Sequence, residues 1–168
     1  MNDRYDLLSP KDLLITLRSL ARRFGAVSGP MRSDPELFDR IDERGPNGQS
    51  MGEVLSETSL RFADLTVQTL NLANQTAPVI SGTAIQPSLR TSPIDRLPIE
   101  QATASIEGNA EALADTLDRQ DGDGWARTAP VDSGGSVDLV TLVRSAVRAA
   151  IEGLLAAEAQ LEHLRQNG

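Results

Sequence analysis

The sequence predicts an all-α protein, a four-helix bundle in which residues 1–168 form a single domain. Four stretches carry apolar residues at the 3.6-residue period of a helix that buries one face. These stretches are about 9–24, 50–76, 99–118 and 137–165. Aromatic residues make up only 3% of the chain, so the core must come from Leu, Val, Ile and Ala, which pack readily between helices. Prolines recur through 78–98, which predicts a long crossover loop joining helices that are not antiparallel neighbours.

The starts of the first two helices have recognisable caps. Ser9 can accept hydrogen bonds from free amides at the first start, and Gly25 could end that helix. Ser50 and Glu53 have the spacing of a capping box, which predicts that the second helix begins there. The intervening residues 29–48 are rich in proline, glycine and charge. They predict a long loop with one helical turn.

The fourth helix carries polar residues on an otherwise apolar face. Ser145, Arg148 and Glu152 are spaced so that their side chains could share one side of the helix. Gly153 costs about 1 kcal/mol relative to Ala inside a helix. A close contact with a neighbouring helix would explain its presence, and so would a position that formerly held another residue. Residues 121–135, which precede this helix, predict a loop.

Charge and composition exclude several partners. The net charge is −8, which argues against nucleic acid, since phosphate binding depends on a cationic patch. There is no cysteine, so disulfides, thiolate nucleophiles and Cys-ligated zinc are excluded. The first residues lack an apolar signal segment, and apolar runs are too short to span a bilayer. We therefore expect a cytoplasmic protein without a membrane partner.

Several short motifs occur along this helical pattern in a characteristic order. They are DLL at 12–14, the helix start at 50–55, DRLP at 95–98 and DGDGWART at 121–128 followed by Ser136 and Val137. Together with the four helices and the long crossover, they resemble the DinB-like superfamily. The most similar branch is the actinobacterial group related to the metal-binding domain of mycothiol-dependent maleylpyruvate isomerase.

The resemblance implies a metal site that this chain lacks in its usual form. In that family zinc or nickel is held by one histidine of the second helix and a pair of ligands four residues apart on the fourth. The corresponding positions here are Glu57, Ser145, Arg148, Ala149, Glu152 and Gly153. None is histidine, and the single histidine, His163, lies beyond them near the end of the chain. No residue is assigned a catalytic role.

Two interpretations of these positions remain open. In the first, Arg148 has replaced the metal and pairs with Glu152 and Glu57. In the second, Glu57 and Glu152 form a carboxylate site for a hard metal ion. We favour the first, since a cation at that place competes with any metal.

Two functions follow from these interpretations. The first is a non-catalytic binding or interaction module, resembling its family as a homodimer, that retains the bundle cavity for a small molecule and needs no cofactor. The alternative is a mycothiol-type transferase or isomerase, in which zinc or nickel would activate a low-molecular-weight thiol. The missing histidines favour the binding module.

Overall fold

The computed structural model describes residues 4–74, 79–86 and 95–167. Its long helices are α1 (Pro10–Ser33), α3 (Met51–Ala73), α5 (Ile99–Leu117) and α7 (Leu139–Gln166). Shorter elements are a 3₁₀ helix (Arg4–Leu7), α2 (Pro35–Asp39), α4 (Gly82–Ile85), α6 (Gly122–Trp125) and the antiparallel strands β1 (Thr128–Pro130) and β2 (Ser136–Asp138). The prediction of an all-α bundle is confirmed. Within the described ranges, no helix is both long enough and apolar enough to cross a bilayer.

The four long helices pack as a ring in which α1 and α3 each contact both α5 and α7. Helices α3 and α5 run parallel. Their starts lie close together, as shown by the Leu97 amide just before α5, which donates to Ser56 Oγ near the start of α3 at 2.9 Å. Helix α1 is antiparallel to α5, as shown by the bridge between Arg18 and Asp118 at 2.8 Å. The crossover between α3 and α5 therefore returns the chain along the length of the bundle, as the sequence predicted.

Helix α7 completes the ring. It runs parallel to α1, with Arg144 donating to the Leu8 carbonyl at 2.8 Å near one end and Arg23 3.4 Å from Glu158 near the other. It is antiparallel to α3, since the second half of α7 packs against the start of α3. The bundle thus has an up-down-down-up topology, and α1 and α3 lie across its diagonal.

The core between these helices is aliphatic with two aromatic exceptions. Phe24 of α1 and Phe62 of α3 are fully buried. The other large, fully buried side chains include Leu13, Leu17, Leu20, Met31, Met51, Leu55, Leu65, Ile80, Ile106 and Leu113. The expected dominance of aliphatic packing is therefore observed.

The predicted helix caps are present. Ser9 Oγ accepts from the Asp12 amide at 3.2 Å, while the Asp12 carboxylate accepts from the Ser9 amide. Ser50 and Glu53 form the corresponding pair at the start of α3, with distances of 3.3 and 2.8 Å. Both helix starts are confirmed.

The end of the first helix was predicted too early. Helix α1 continues past Gly25 to Ser33, because Val27 and Met31 beyond that glycine are buried in the core. Their packing outweighs the weak helix preference of glycine. The single turn expected within 29–48 is α2, with Leu37 buried.

Two connections that were predicted to be irregular loops contain regular secondary structure. Residues 121–135 hold α6 and β1, and β1 pairs with β2 directly before α7. In the crossover, residues 79–86 include α4, and Ile80 forms a bridge with Val131 after β1. The predicted end of the second helix near 76 and the crossover positions 78 and 87–94 lie outside the described residues.

Candidate functional site

A cavity of about 140 Å³ lies between α3 and α7. It is lined by Gln49, Val54, Glu57, Thr58, Arg61, Ala149, Glu152, Gly153 and Ala156. Only some of the site positions named from the sequence line this cavity, namely Glu57, Ala149, Glu152 and Gly153. Ser145 and Arg148 are outside it.

The two helices approach closely beside this cavity because α7 has a glycine there. A Cβ atom at Gly153 would lie only 2.7 Å from Thr58 Cβ and nearer still to the Thr58 Oγ1 and Cγ2 atoms. Thr58 is 4% exposed, and its hydroxyl donates to the Val54 carbonyl at 2.7 Å. The close helix contact expected from the sequence is thus observed at Gly153.

Glu57 places a half-buried carboxylate in the cavity. Its Oε2 accepts a hydrogen bond from Gln49 Nε2 at 2.8 Å, and Gln49 lies just before α3. In the part of the chain that the structure describes, no arginine or lysine forms an ion pair with Glu57. Among the described residues, the Glu57 carboxylate therefore pairs with a neutral amide and with no cation.

Arg61 is a cavity residue that the sequence reasoning missed. Its Nη1 lies 3.9 Å from Glu152 Oε2, and the two side chains are 28% and 49% exposed. Arg61 Nε is buried and has no hydrogen-bond acceptor among the described residues. Arg61 follows Glu57 by four residues, so the helical period could have placed it on the same face.

Arg148 points away from the cavity, which corrects the predicted network with Glu57 and Glu152. Its Nη2 is 3.2 Å from Asp6 Oδ1, and its guanidinium carbon lies 5.4 Å from the centre of the Tyr5 ring. Residue 148 is about a quarter turn from the face formed by 149, 152, 153 and 156, given 3.6 residues per turn. Arg148 therefore anchors the 3₁₀ helix to α7.

Ser145 and His163 also lie away from the cavity. Ser145 Oγ donates to the Thr141 carbonyl of its own helix at 2.9 Å. His163 lies in the last turn of α7, where its Nδ1 is 3.1 Å from Asn167 Nδ2. Neither side chain contributes to the cavity lining.

The cavity residues do not fit the zinc or nickel ion that the resemblance implies. Zinc in proteins is bound mainly by imidazole and thiolate with some carboxylate, and the cavity offers two carboxylates beside the Arg61 guanidinium. Among residues 4–74, 79–86 and 95–167, no group of three or more His, Cys, Asp or Glu side chains is arranged to hold a metal ion.

A second, wider groove adjoins the cavity and shares Gln49 and Glu57 with it. Its remaining lining is Arg44, Glu53, Ser56 and Arg96. Arg44 Nη2 lies 3.6 Å from Glu53 Oε1, and Arg96 pairs with Asp42, so both cations have carboxylate partners. The groove gives the cavity an open side facing the start of α3.

We compared the chain with protein-family models, curated proteins and solved structures, and none of the three comparisons found a match. The DinB-like interpretation therefore stays a prediction from the sequence motifs.

Proposed function

We propose that this chain is a DinB-like bundle protein that has exchanged metal chemistry for ligand binding. In this proposal it is a non-catalytic binding module whose ligand occupies the cavity between α3 and α7. A cytoplasmic location, an actinobacterial source and a homodimeric state belong to the same proposal. The source and the homodimer rest on the resemblance, and the location rests on the short apolar runs of the sequence.

The observation that carries the proposal is the Arg61 guanidinium beside Glu152, in a cavity that Glu57 also lines. Arg61 Nη1 lies 3.9 Å from Glu152 Oε2, and like charges at such a separation repel even where water screens them. A divalent ion bound by Glu152 would therefore meet substantial repulsion from Arg61. The same guanidinium can donate hydrogen bonds to an anionic or carbonyl group of an organic ligand.

One observation favours the alternative, a metal- and thiol-dependent transferase or isomerase. The Glu57 carboxylate has no cationic partner among the described residues and is available as an oxygen ligand. Its only described hydrogen bond comes from Gln49. The alternative therefore requires Glu57 and Glu152 to bind a metal despite Arg61.

Metal uptake distinguishes the two functions. Protein purified without a histidine tag is incubated with zinc or nickel, separated from free ions by gel filtration and analysed for bound metal. We expect well under one equivalent for the wild type, and no difference in Glu57→Gln or Glu152→Gln. Glu158→Gln is the matched control, since it removes the same charge from the exposed side of α7.

Stoichiometric metal that both cavity substitutions abolish, and that the control retains, would refute the binding-module proposal and establish the metal site. The homodimer is tested separately by sedimentation equilibrium. A mass equal to that of one chain at all concentrations would remove it from the proposal.

A further inference from the structure

We infer that the cavity between α3 and α7 binds a small amino acid or a similar zwitterion, with its ammonium group at Glu57 and its carboxylate at Arg61. This inference rests on the proposed binding function and specifies the ligand. Three features support it: a carboxylate without a cationic partner among the described residues, a guanidinium that its neighbouring carboxylate contacts only loosely, and the size of the cavity.

The unpaired carboxylate defines where a cationic group would bind. Glu57 accepts one described hydrogen bond, from the neutral Gln49 amide. A carboxylate offers about four acceptor positions, so Glu57 can accept further hydrogen bonds from an ammonium group. Charge-assisted hydrogen bonds of this kind are roughly twice as strong as neutral ones. The chemistry of Glu57 therefore selects a cationic nitrogen over a neutral one.

The guanidinium defines where the anionic group would bind. Arg61 Nε is fully buried, so a ligand in the cavity can reach only the terminal nitrogens of the Arg61 guanidinium. Its Nη1 is engaged only loosely by Glu152, at 3.9 Å. A ligand carboxylate would accept from Arg61 in the planar geometry that guanidinium groups favour.

The spacing and volume suit a short molecule. Glu57 and Arg61 are one turn apart on α3, so their side chains lie on the same face. An apolar cavity of about 150 Å³ holds a molecule the size of benzene, and this cavity measures about 140 Å³. A ligand that reaches Glu57 with its ammonium group and Arg61 with its carboxylate inside this volume has the two groups only a few bonds apart. Val54 and Ala156 provide the apolar part of the lining for its carbon atoms.

The charges of the cavity favour a zwitterion over a simple amine. Glu57 and Glu152 carry two negative charges and Arg61 one positive charge. An amine would satisfy Glu57 and leave the Arg61 guanidinium with only its loose contact to Glu152. A carboxylic acid alone would satisfy Arg61 and place a second negative charge beside Glu57. Only a ligand with both groups satisfies both side chains.

A set of matched ligands tests the inference. β-Alanine and L-alanine are the zwitterions, propylamine carries only the cation, and propionate carries only the anion. Binding is measured by titration calorimetry and by the ligand-dependent shift in melting temperature, using the full chain. We expect at least one zwitterion to bind at least tenfold more tightly than propylamine and propionate.

Variants connect the binding to the two side chains. Glu57→Gln keeps the size of the side chain and should weaken zwitterion binding at least tenfold, as should Arg61→Met. Glu158→Gln should leave the affinity unchanged. Circular dichroism of each variant shows that a loss of binding does not result from unfolding.

The outcomes separate the ligand from the underlying function. If propylamine binds as tightly as the zwitterions and Glu57→Gln weakens both, the zwitterion inference is overturned while the binding function stands. If no probe binds and the protein also takes up no metal, the inference is likewise overturned. If no probe binds and stoichiometric metal is found at Glu57 and Glu152, both proposals fail.

Discussion

Replacing Gly153 with alanine should loosen the contact between α3 and α7. Alanine is favoured over glycine in a helix by about 1 kcal/mol, so without a contact the substitution would stabilise the protein. The new methyl group, however, would lie within 3 Å of Thr58 Oγ1, Cγ2 and Cβ. Thr58 cannot easily move, because it is buried, β-branched and hydrogen-bonded to the Val54 carbonyl.

The magnitude follows from these two opposing effects. Overpacking a core costs about 1–3 kcal/mol, and the rigidity of Thr58 places this contact near the upper end. After subtracting the gain in helix preference, we expect a loss of about 2 kcal/mol in the free energy of unfolding. For a chain of this size that corresponds to a decrease of about 4–8 °C in melting temperature.

Urea denaturation followed by far-UV circular dichroism measures this change. Gly108→Ala is the control, because Gly108 is an exposed glycine inside α5 and a Cβ atom there would have no neighbour within 4 Å. That variant should gain up to about 1 kcal/mol. The double variant Gly153→Ala, Thr58→Ala should recover part of the loss, because it removes Oγ1 and Cγ2.

Equal stability of Gly153→Ala and Gly108→Ala relative to the wild type would refute a close contact at Gly153. A loss of stability that is the same with and without Thr58→Ala would also contradict it. In either case the glycine would not be required for helix contact.

Two further substitutions test the contact of α7 with the 3₁₀ helix and the capping box at the start of α3. Arg148→Ala should lower the free energy of unfolding by about 1 kcal/mol, because it removes a partly exposed ion pair with Asp6 and a cation–π contact with Tyr5; a loss of several kcal/mol in urea denaturation would instead indicate a buried network. Glu53→Gln should reduce the loss of stability in acid: the Ser50 amide lowers the pKa of Glu53 below its ordinary 4.5, so this carboxylate stabilises the fold above that value and the effect is lost as pH falls through the lowered pKa. If the melting temperatures of the wild type and Glu53→Gln fall by the same amount as the pH is lowered below 4.5, the stabilising role of the Glu53 carboxylate is contradicted.

The helix starts could be predicted because their signals are local. Ser50 and Glu53 are three residues apart, and both hydrogen bonds of the capping box form within one turn. The end of α1 could not be predicted in this way, because the packing of Val27 and Met31 in the core decides it. The pairing of β1 with β2 was missed for a similar reason, since three-residue strands give too short a pattern to detect.

The prediction of the candidate site from the sequence was limited in the same way. The sequence placed Glu57, Glu152 and Gly153 on facing helices, and the structure brings all three to one cavity. The sequence-based prediction also assigned the cation to Arg148, whereas in the structure Arg61 lines that cavity. Periodicity gives the residues that share a face but leaves open which neighbouring element that face meets. The contact of Arg148 with Asp6 depends on where the 3₁₀ helix packs, which is a tertiary property.

The up-down-down-up arrangement has a consequence for how the chain folds. The contacting antiparallel pairs are α1 with α5 and α3 with α7, and each pair is separated in sequence by another long helix. A helical hairpin of consecutive long helices is therefore not available as an early folding nucleus. Folding must begin with contacts between distant segments, which gives the bundle a higher contact order and slower folding than a simple up-and-down bundle. Fragments that end before α7 would lack the partner of α3 and should not form the native core.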